Sequence, residues 1–532
     1  MNEPIRQQGE YDDHPTGRAP DTGGKTLWGT RIAGLVAALA VWLALGNSPD
    51  IAPDARMVAA VGTLMAIWWM TEAVPLSVTS LLPLVLIPML TARTVSEAAA
   101  PYASSIVFLF LGGFLIAIAM EKWNLHRRIA LLTLARVGVE PRRIVLGLMI
   151  ATGFLSMWVS NTATTLMMLP IGLSVLTLVV DRSKGAQDAA VGEALAKGGR
   201  VSDVVQDPQI RRFGVCLVLA IAWSATMGGL GTLLGSPPNA IVAGYAADEL
   251  GRTIGFLQWM MIGFPLAVVF ILIGWVLMTR VLYPFDLAEI PGGRQMIQDQ
   301  IAALGPVSRA ERMVMAVFGG AAFLWVVPGL IASLPGMEDA LGPFGNMNDT
   351  AIAIGAGILL FILPAEGRTT MVLDWQDAED GLPWGVLLLF GGGLSLAGAV
   401  ASTGLDAWFG QQVTGLGALT PVLLVAAITT IVMFLTEITS NTATAATFIP
   451  VLGGVAVGIG ADPMGLLIPA ALAATCAFML PVGTPPNAIV FGSGAVSIKE
   501  MVRGGIVLNL IGIVLITGAC FLIGGVALGL QY

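Results

Sequence analysis

Long stretches of apolar residues, separated by short polar segments, make up almost the whole chain. Eleven of these stretches have the length of a helix that crosses a bilayer. They lie at residues 28–47, 57–72, 75–92, 104–121, 213–247, 255–279, 313–333, 350–364, 384–403, 465–498 and 504–530. The pattern predicts an all-α polytopic membrane protein, because a transmembrane β-barrel would show short segments of alternating polarity.

Two further apolar stretches, at residues 143–180 and 420–461, are longer than one span. Each contains the sequence Ser-Asn-Thr near its middle, beginning at Ser160 and at Ser440. We predict that each stretch forms two half-length helices that meet at this motif and return to the side they left, which is a re-entrant hairpin. Non-helical backbone at membrane depth requires protein or a water-filled cavity to satisfy its polar groups.

The second half of the chain repeats the motifs of the first half in the same order. Asn161 and Asn441 are 280 positions apart, and so are the glycine-rich sequences that begin at Phe110 and Phe390. The sequence GSPPNAI at residues 235–241 returns as GTPPNAI 248 positions later. The difference of 32 positions matches a charged insertion at about residues 181–212. Repeats that carry interrupted helices are typical of secondary transporters.

Composition and charge support this interpretation and give an orientation. Of the 532 residues, 56% are hydrophobic and 11% are charged, whereas soluble domains carry about 25% charged residues. With a cytosolic N-terminus, 23 of the 26 Lys and Arg residues fall in cytosolic segments, and only Arg56, Arg93 and Arg252 fall outside. Cytosolic loops of membrane proteins are enriched in these residues. This orientation places the C-terminus outside. It also makes the first hairpin enter from the cytosol and the second from outside, so the repeats are inverted.

The same pattern divides the chain into four parts. Residues 1–27 are polar and are expected to form a disordered cytosolic tail. Residues 28–280 carry the first repeat with scaffold helices and the first hairpin, residues 281–312 form a cytosolic linker, and residues 313–532 carry the second repeat. The spacing of the three cysteines indicates neither a disulfide framework nor a zinc site. We expect the lipid bilayer as a partner, and no nucleic acid.

The Ser-Asn-Thr motifs have the chemistry of an anion site. Each Ser can cap the half-helix that follows it, which leaves free N–H groups and the positive end of the helix dipole at the hairpin tip. The Asn amide and the Thr hydroxyl add neutral donors. Two such tips, one from each repeat, suit a ligand with two anionic ends.

The Pro-Pro-Asn motifs have the chemistry of a cation site. Proline removes backbone N–H groups, so nearby carbonyl oxygens are free to bind a hard cation together with Asn, Ser and Thr oxygens. No Lys or Arg occurs between Arg368 and Lys499, and no charged residue occurs within 144–180 or 213–247. A helix dipole supplies only about half a charge. Bound cations are the remaining counter-charge, so the sequence predicts cation-coupled anion binding.

In their order, these motifs resemble the divalent anion:sodium symporter (DASS) family with its INDY-type dicarboxylate transporters. The sequence WWMTEAVPLSVTSLLPLVLIP, which begins at Trp68, adds to the resemblance, and the match covers about residues 30–530. It implies sodium-coupled symport of dianions, above all C4-dicarboxylates such as succinate, malate and fumarate, by an elevator-type alternating-access mechanism. It also implies Na⁺ as the coupling ion and a homodimer in the bacterial inner membrane.

The resemblance further implies which residues form the site. The substrate carboxylates would be held by the two tips and by the residues before the prolines, which are Ser160, Asn161, Thr162, Ser440, Asn441, Thr442, Ser236 and Thr484. One sodium ion would be held by Ser156, Ser160, Asn161 and Gly235, and another by Thr436, Thr439, Asn441 and Gly483, several of them through backbone carbonyls. The family pattern prefers Thr at both positions before the prolines, so Ser236 is a departure from it.

Glu437 lies three residues before the second Ser-Asn-Thr motif, where the first repeat has Met157. An intramembrane carboxylate is a candidate functional residue. It either hydrogen-bonds the backbone of the hairpin or takes part in ion coupling.

Several alternative functions have to be weighed against sodium symport. A dicarboxylate exchanger, a proton-coupled carrier and a sodium-coupled citrate or sulfate transporter remain open. An enzyme would need a Ser–His pair, paired Asp or zinc chemistry, and the predicted hairpins contain neither a His nor an Asp pair. The filter of a channel would repeat by rotation about an axis along the membrane normal. We therefore expect a transporter that is not an enzyme.

Overall fold

The computed structural model describes residues 24–48, 50–138, 140–184, 201, 205, 207–287, 293–332, 348–367, 369–412 and 419–532. Most of the predicted tail and of the charged insertion lies outside these residues. The first helix begins at Gly24, four positions before the predicted apolar stretch. The α-helices are α1 (Gly24–Leu45), α2 (Pro53–Thr71), α3 (Leu76–Thr79), α4 (Leu82–Leu90), α5 (Val95–Ala99), α6 (Ser105–Lys122), α7 (Leu125–Val137), α8 (Pro141–Ser156), α9 (Asn161–Lys184), α10 (Pro208–Gly228), α11 (Pro237–Leu250), α12 (Phe256–Leu277), α13 (Gly293–Ala303), α14 (Arg309–Ala332), α15 (Asp349–Ile362), α16 (Trp375–Gly381), α17 (Trp384–Thr403), α18 (Leu405–Gln412), α19 (Pro421–Thr436), α20 (Asn441–Gly458), α21 (Pro463–Thr475), α22 (Pro485–Gly492), α23 (Ile498–Leu522) and α24 (Gly524–Leu528).

Within the described residues, nine helices are long and apolar enough to cross a membrane. They are Leu27–Leu45, Val95–Lys122, Asn161–Val180, Pro208–Gly228, Phe256–Leu282, Arg309–Ile331, Trp384–Thr403, Asn441–Gly458 and Ile498–Leu522. The predicted spans at 57–72, 75–92 and 350–364 are helical but are not among these nine. The chain is an all-α polytopic membrane protein. In the described part of the chain, its strands are limited to one antiparallel pair, β1 (Pro364–Glu366) with β2 (Thr370–Met371).

The predicted spans 213–247 and 465–498 are each interrupted in the middle. α10 ends at Gly228 and α11 begins at Pro237, while α21 ends at Thr475 and α22 begins at Pro485. We call residues 229–236 the first break and residues 476–484 the second break. Proline suits the first position of a helix, where an N–H would have no helical partner. The Pro-Pro-Asn sequences therefore begin the helices α11 and α22 that follow the two breaks.

The two stretches with Ser-Asn-Thr form helical hairpins. In the first hairpin, residues 157–160 join α8 to α9, and in the second hairpin, residues 437–440 join α19 to α20. The two limbs contact each other in both hairpins. The first limbs begin at Pro141 and Pro421 and have 16 residues each. Asn161 and Asn441 are therefore the first helical residues of the second limbs.

Each hairpin packs beside the break of its own repeat and also reaches the other repeat. Both limbs of the first hairpin contact α10, and both limbs of the second hairpin contact α21. In addition, α9 contacts α22, and α20 contacts α11. The two tips and the two breaks are thus brought into one region of the molecule.

The repeated glycine-rich sequences allow helices to approach closely. A Cβ atom on Gly112 of α6 would collide with the backbone of Ala353 in α15. A Cβ atom on Gly392 of α17 would collide with Ser80. Small residues permit such contacts between membrane helices, so packing accounts for these motifs.

Candidate functional site

The Ser-Asn-Thr residues lie at the start of the second limbs, as the sequence predicts. Ser160 caps α9, because its hydroxyl oxygen accepts a hydrogen bond from the N–H of Ala163 at 3.2 Å, which confirms the predicted cap. Ser440 occupies the same position in the second hairpin, but its side chain makes no capping hydrogen bond among the described residues. The predicted cap is therefore wrong for this side chain. All six motif residues are half-buried, namely Ser160, Asn161, Thr162, Ser440, Asn441 and Thr442.

In the first repeat, the amide of Asn161 connects the hairpin tip to the break. With its nitrogen turned toward the break, Asn161 donates to the carbonyl oxygens of Gly235 and Ala225, each 3.2 Å away. The hydroxyl of Ser156 lies 2.5 Å from the same amide. A Cβ atom on Gly229 would lie 2.9 Å from this amide, so glycine leaves room for it. Three of the four predicted ligands of the first sodium ion, namely Ser156, Asn161 and Gly235, are in contact here.

The second repeat makes the equivalent contacts. Thr436 Oγ1 lies 2.8 Å from Asn441 Oδ1 and 3.0 Å from the carbonyl oxygen of Ala474. Asn441 donates through Nδ2 to the carbonyl oxygen of Thr475 at 3.1 Å. The pair Thr436–Asn441 therefore repeats the pair Ser156–Asn161, and in both repeats the Asn bonds a carbonyl group at or near the end of the helix before the break.

The other two predicted ligands of the second sodium ion are placed differently. A Cβ atom on Gly483 would lie 3.3 Å from the carbonyl oxygen of Glu437, so Gly483 packs on the turn of the second hairpin. Thr439 bonds within its own hairpin, with its hydroxyl 2.6 Å from that of Thr444 and 3.0 Å from the carbonyl oxygen of Leu435. The side chain of Thr439 is thus not brought to Asn441 by these bonds.

The asparagines of the Pro-Pro-Asn motifs stabilise the two breaks in the same way. Asn239 donates to the carbonyl oxygens of Gly229 and Thr232, at 2.9 and 2.8 Å. Asn487 donates to the carbonyl oxygens of Ala477 and Leu480, both at 3.1 Å. Both side chains are fully buried, and among the described residues neither Oδ1 atom has a hydrogen-bond partner. These two residues are absent from the predicted site, although their repeated motif could have identified them.

The residues before the prolines are buried among protein groups. Ser236 is 1% exposed and Thr484 is 2% exposed. Ser236 Oγ accepts a hydrogen bond from Thr475 Oγ1 at 3.0 Å, and Thr484 caps α22 by accepting from the N–H of Asn487 at 3.4 Å. Thr475 was not predicted, and it contacts both Ser236 and Asn441.

Glu437 bonds the backbone of the second break. Its Oε1 accepts from the N–H of Phe478 and from Asn509 Nδ2, both at 2.7 Å, and its Oε2 accepts from the N–H of Leu480 at 3.0 Å. The N–H of Met479 is 3.0 Å from both oxygens. The expectation that this carboxylate hydrogen-bonds the backbone of the hairpin is therefore wrong in its partner, because the backbone that it bonds belongs to the second break.

The first repeat replaces this contact with a neutral one. Met157 stands where the second repeat has Glu437. Its carbonyl oxygen accepts a hydrogen bond from the Thr232 hydroxyl of the first break. Both hairpin turns are therefore held to a break, but only the second is held by a charged group.

The oxygen atoms at the site are hydroxyl, amide and carbonyl oxygens. In the described part of the chain, no group of three or more His, Cys, Asp or Glu side chains could hold a metal ion. Neutral oxygens at an unwound helix suit a hard monovalent cation better than a transition metal. The arrangement fits the sodium ions that the family resemblance implies.

Two repeated hairpins that meet two broken helices define a secondary membrane transporter. The family model described as the sodium:sulfate symporter transmembrane region matches residues 25–526. The chain therefore belongs to the sodium:sulfate symporter family, which is the DASS family, and is a transporter and not an enzyme.

Curated relatives cover nearly the whole chain. The sodium-dependent dicarboxylate transporter SdcS of Staphylococcus saprophyticus is 41% identical over 491 residues, which is 92% of this chain and 90% of that protein. SdcS of Staphylococcus aureus strain bovine RF122 is 41% identical over 484 residues, which is 91% of this chain and 88% of that protein.

Solved structures of two transporters share the fold. Neisseria gonorrhoeae MtrF, whose structure is titled as illuminating a class of antimetabolite efflux pumps, aligns with a TM-score of 0.55 at 11% identity, over 92% of this chain and 97% of that chain. The Alcanivorax borkumensis YdaH transporter aligns with a TM-score of 0.53 at 13% identity, over 88% of this chain and 98% of that chain. At these identities the likeness concerns the fold alone.

Proposed function

We propose that this chain is a sodium-coupled symporter of dianionic substrates, and that C4-dicarboxylates such as succinate, malate and fumarate are its substrates. The observation that supports this most directly is the repeated contact of the two tip asparagines with the two breaks. Asn161 reaches the first break through Gly235 O, and Asn441 reaches the end of α21 through Thr475 O. The relatives named above are sodium-dependent dicarboxylate transporters, which favours this class of substrate.

Each tip binds one carboxylate of the substrate. The first N–H groups of α9 and α20 and the half-buried hydroxyls of the motifs donate to the anion, and the helix dipoles add a positive potential. Sodium ions bind beside the tips. We assign one ion to Ser156, Ser160, Asn161 and Gly235 and the other to Thr436, Thr439, Asn441 and Gly483, several of them through backbone carbonyls.

The charges at the site indicate how many cations are needed. A dicarboxylate brings two negative charges, and the Glu437 side chain adds one more. Two helix ends offset about one charge in total, so about two negative charges remain. Two bound sodium ions neutralise them, whereas an uncompensated charge at this depth would be prohibitively costly.

The surroundings of Glu437 disfavour a proton-coupled carrier. Among the residues that the structure describes, the groups that hydrogen-bond its carboxylate are all donors, namely three backbone N–H groups and the amide of Asn509. A proton on either oxygen would face a donor and would break at least one of these bonds. The side chain therefore acts as a fixed anion that holds the second break, and sodium carries the coupling.

Alternating access follows from the two repeats. We propose an elevator-type movement in which the hairpins and broken helices carry the site past a scaffold, in a homodimer in the bacterial inner membrane. The distribution of Lys and Arg supports a cytoplasmic N-terminus and an external C-terminus. Residues 28–280 and 313–532 would be the two inverted repeats, joined by the linker 281–312.

Uptake into proteoliposomes tests the proposal. Radiolabelled succinate is offered with an inward sodium gradient, or with choline in place of sodium. We expect uptake only with sodium and a sigmoidal dependence on its concentration. Full uptake in choline with unlabelled dicarboxylate inside would instead identify an exchanger. Stronger competition by sulfate or citrate than by malate and fumarate would contradict the assignment of C4-dicarboxylates.

A further inference from the structure

A hydrogen bond between two buried hydroxyl groups joins the two repeats beside the tips. Thr475, the last residue of α21, lies 3.0 Å through its Oγ1 from the Oγ of Ser236, which is 239 positions away in the sequence. Thr475 is fully buried. Other side-chain bonds join the repeats elsewhere, such as that of Arg252 with Asp462 and that of Ser395 in α17 with the carbonyl oxygen of Ala98. The Thr475–Ser236 bond instead lies where α21 meets the first break.

Thr475 also contacts the second tip, through a different atom. Its carbonyl oxygen accepts from Asn441 Nδ2 at 3.1 Å. Ser236 follows Gly235, whose carbonyl oxygen accepts from Asn161 at 3.2 Å. A continuous series of hydrogen bonds and covalent bonds therefore runs from Asn161 through Gly235, Ser236 and Thr475 to Asn441. Its one cross-repeat link is the bond between Ser236 and Thr475, which adds to the packing of α9 on α22 and of α20 on α11.

The first repeat has no hydroxyl at the position that corresponds to Thr475. The Pro-Pro-Asn motifs are 248 positions apart, so Met227 is the counterpart of Thr475 in the first repeat, and it has no hydroxyl. Thr is less favourable than Ala in a helix, and a hydroxyl is costly to bury unless it is hydrogen-bonded. The hydroxyl of Thr475 lies 3.3 Å from the carbonyl oxygen of Ala471 in its own helix and 3.0 Å from Ser236 Oγ, so the shorter contact is the one that joins the repeats.

We propose that Thr475 is a specificity-determining positioning residue, whose hydroxyl bond to Ser236 fixes the separation of the two tips and thereby the length of dianion that spans them. This inference rests on the two-tip anion site proposed above. A rigid separation favours one carboxylate spacing, because a ligand that matches it binds without reorganisation of the site. Loss of the bond lets the separation of the tips change. The protein then prefers succinate less strongly over a dicarboxylate that is one methylene longer.

Competition between two dicarboxylates measures this selectivity. Uptake of labelled succinate is inhibited by unlabelled succinate or by glutarate, at saturating sodium. We expect the wild-type protein to prefer succinate. We expect Thr475→Val to reduce this preference about fivefold, as for the loss of one hydrogen bond, with the maximal rate retained.

Two further variants separate the hydroxyl from its surroundings. Thr475→Ser keeps the hydroxyl and is expected to keep the preference. Thr429→Val is a matched control, because Thr429 is also fully buried but donates at 2.7 Å to Val425 O within its own helix. We expect its preference to equal that of the wild type.

Ser236→Ala removes the same bond from the other repeat. We expect a similar fall in preference, and no further fall in the double variant with Thr475→Val, because the bond is already lost. An unchanged preference in either folded single variant would overturn the proposal, as would falls that add up in the double variant or a wild type that does not prefer succinate. A wild type without sodium-dependent succinate uptake would contradict the proposed function instead, so the two failures are distinguishable.

Discussion

Single side chains at the tips decide whether the anion site exists. Asn161→Ala and Asn441→Ala each remove a donor at a tip and an amide that bonds a carbonyl oxygen at or near a break. We expect both variants to lose succinate uptake, because the site loses an anion donor and a cation ligand together. Uptake by purified protein in proteoliposomes, normalised to folded protein, measures this.

The control for these variants is Asn47→Ala, because Asn47 is exposed in the turn after α1. Its uptake should equal that of the wild type. Near-normal uptake in either tip variant would remove the two-tip site.

Substitution of the single side chain of Glu437 tests which ion is coupled to transport. In Glu437→Gln, the new amide N–H₂ group faces backbone N–H donors of the second break. We expect a less stable protein, by about 1–3 kcal/mol for donors left without partners, with sodium-driven uptake retained. Melting temperature in detergent and initial uptake with imposed sodium or pH gradients test both parts. If pH-driven uptake exists in the wild type and disappears in Glu437→Gln while sodium has no effect, protons are the coupling ion.

Packing between helices sets the shape of the first break. A Cβ atom on Gly228, at the end of α10, would collide with the carbonyl group of Gly153 in α8. We expect Gly228→Ala to lower the free energy of unfolding by about 1–3 kcal/mol, as for other overpacked contacts. Thermal unfolding of the purified protein measures the change.

Gly518 in α23 is the matched control, since nothing lies within 4 Å of a Cβ atom there. Gly518→Ala should raise the free energy of unfolding by about 0.5–1 kcal/mol, because alanine is favoured over glycine in a helix. Equal melting temperatures for Gly228→Ala and the wild type would contradict the close contact.

The sequence predicts those parts of the site that depend on local motifs. Ser-Asn-Thr placed the turns of both hairpins, and Pro-Pro-Asn placed both interruptions, because helix caps and prolines act within a few residues of themselves. Contacts between distant segments were not predictable in this way. The bond from Thr475 to Ser236 spans 239 positions, and Met227, the counterpart of Thr475 in the first repeat, has no hydroxyl that would indicate it. Asn509, which bonds Glu437 from 72 positions away, carries no motif either.

Orientation is a property of the whole molecule, and it is testable on two exposed helices. The charge count places α13 in the cytosol and α5 outside. We expect Gln298→Cys to react with an impermeant thiol reagent only from the cytosolic side, and Ser96→Cys to react in intact cells. Both positions are exposed, and the native cysteines Cys216, Cys476 and Cys520 are buried.

The charged segment at 185–200 would report on the same side as α13, but it lies outside the described residues. If Gln298→Cys were labelled in intact cells and not from the cytosolic side, the linker 281–312 would lie outside the cell. The inverted arrangement of the repeats would then have to be abandoned.

The backbone N–H groups of the two breaks have different kinds of hydrogen-bond acceptor, and this difference bears on the ancestry of the chain. In the first break a local turn supplies a partner, with the N–H of Gly231 donating to the carbonyl oxygen of Gly228 at 2.8 Å. In the second break three N–H groups donate to Glu437 in the turn of the second hairpin, and Asn509 of α23 also donates to this carboxylate. In a dimer of two identical half-length polypeptides, both breaks would have the same hydrogen-bond partners. In a single fused chain, the two halves can differ in these partners. Glu437, Asn509 and the second break all lie within residues 313–532, so each half of this chain carries the groups that satisfy its own break.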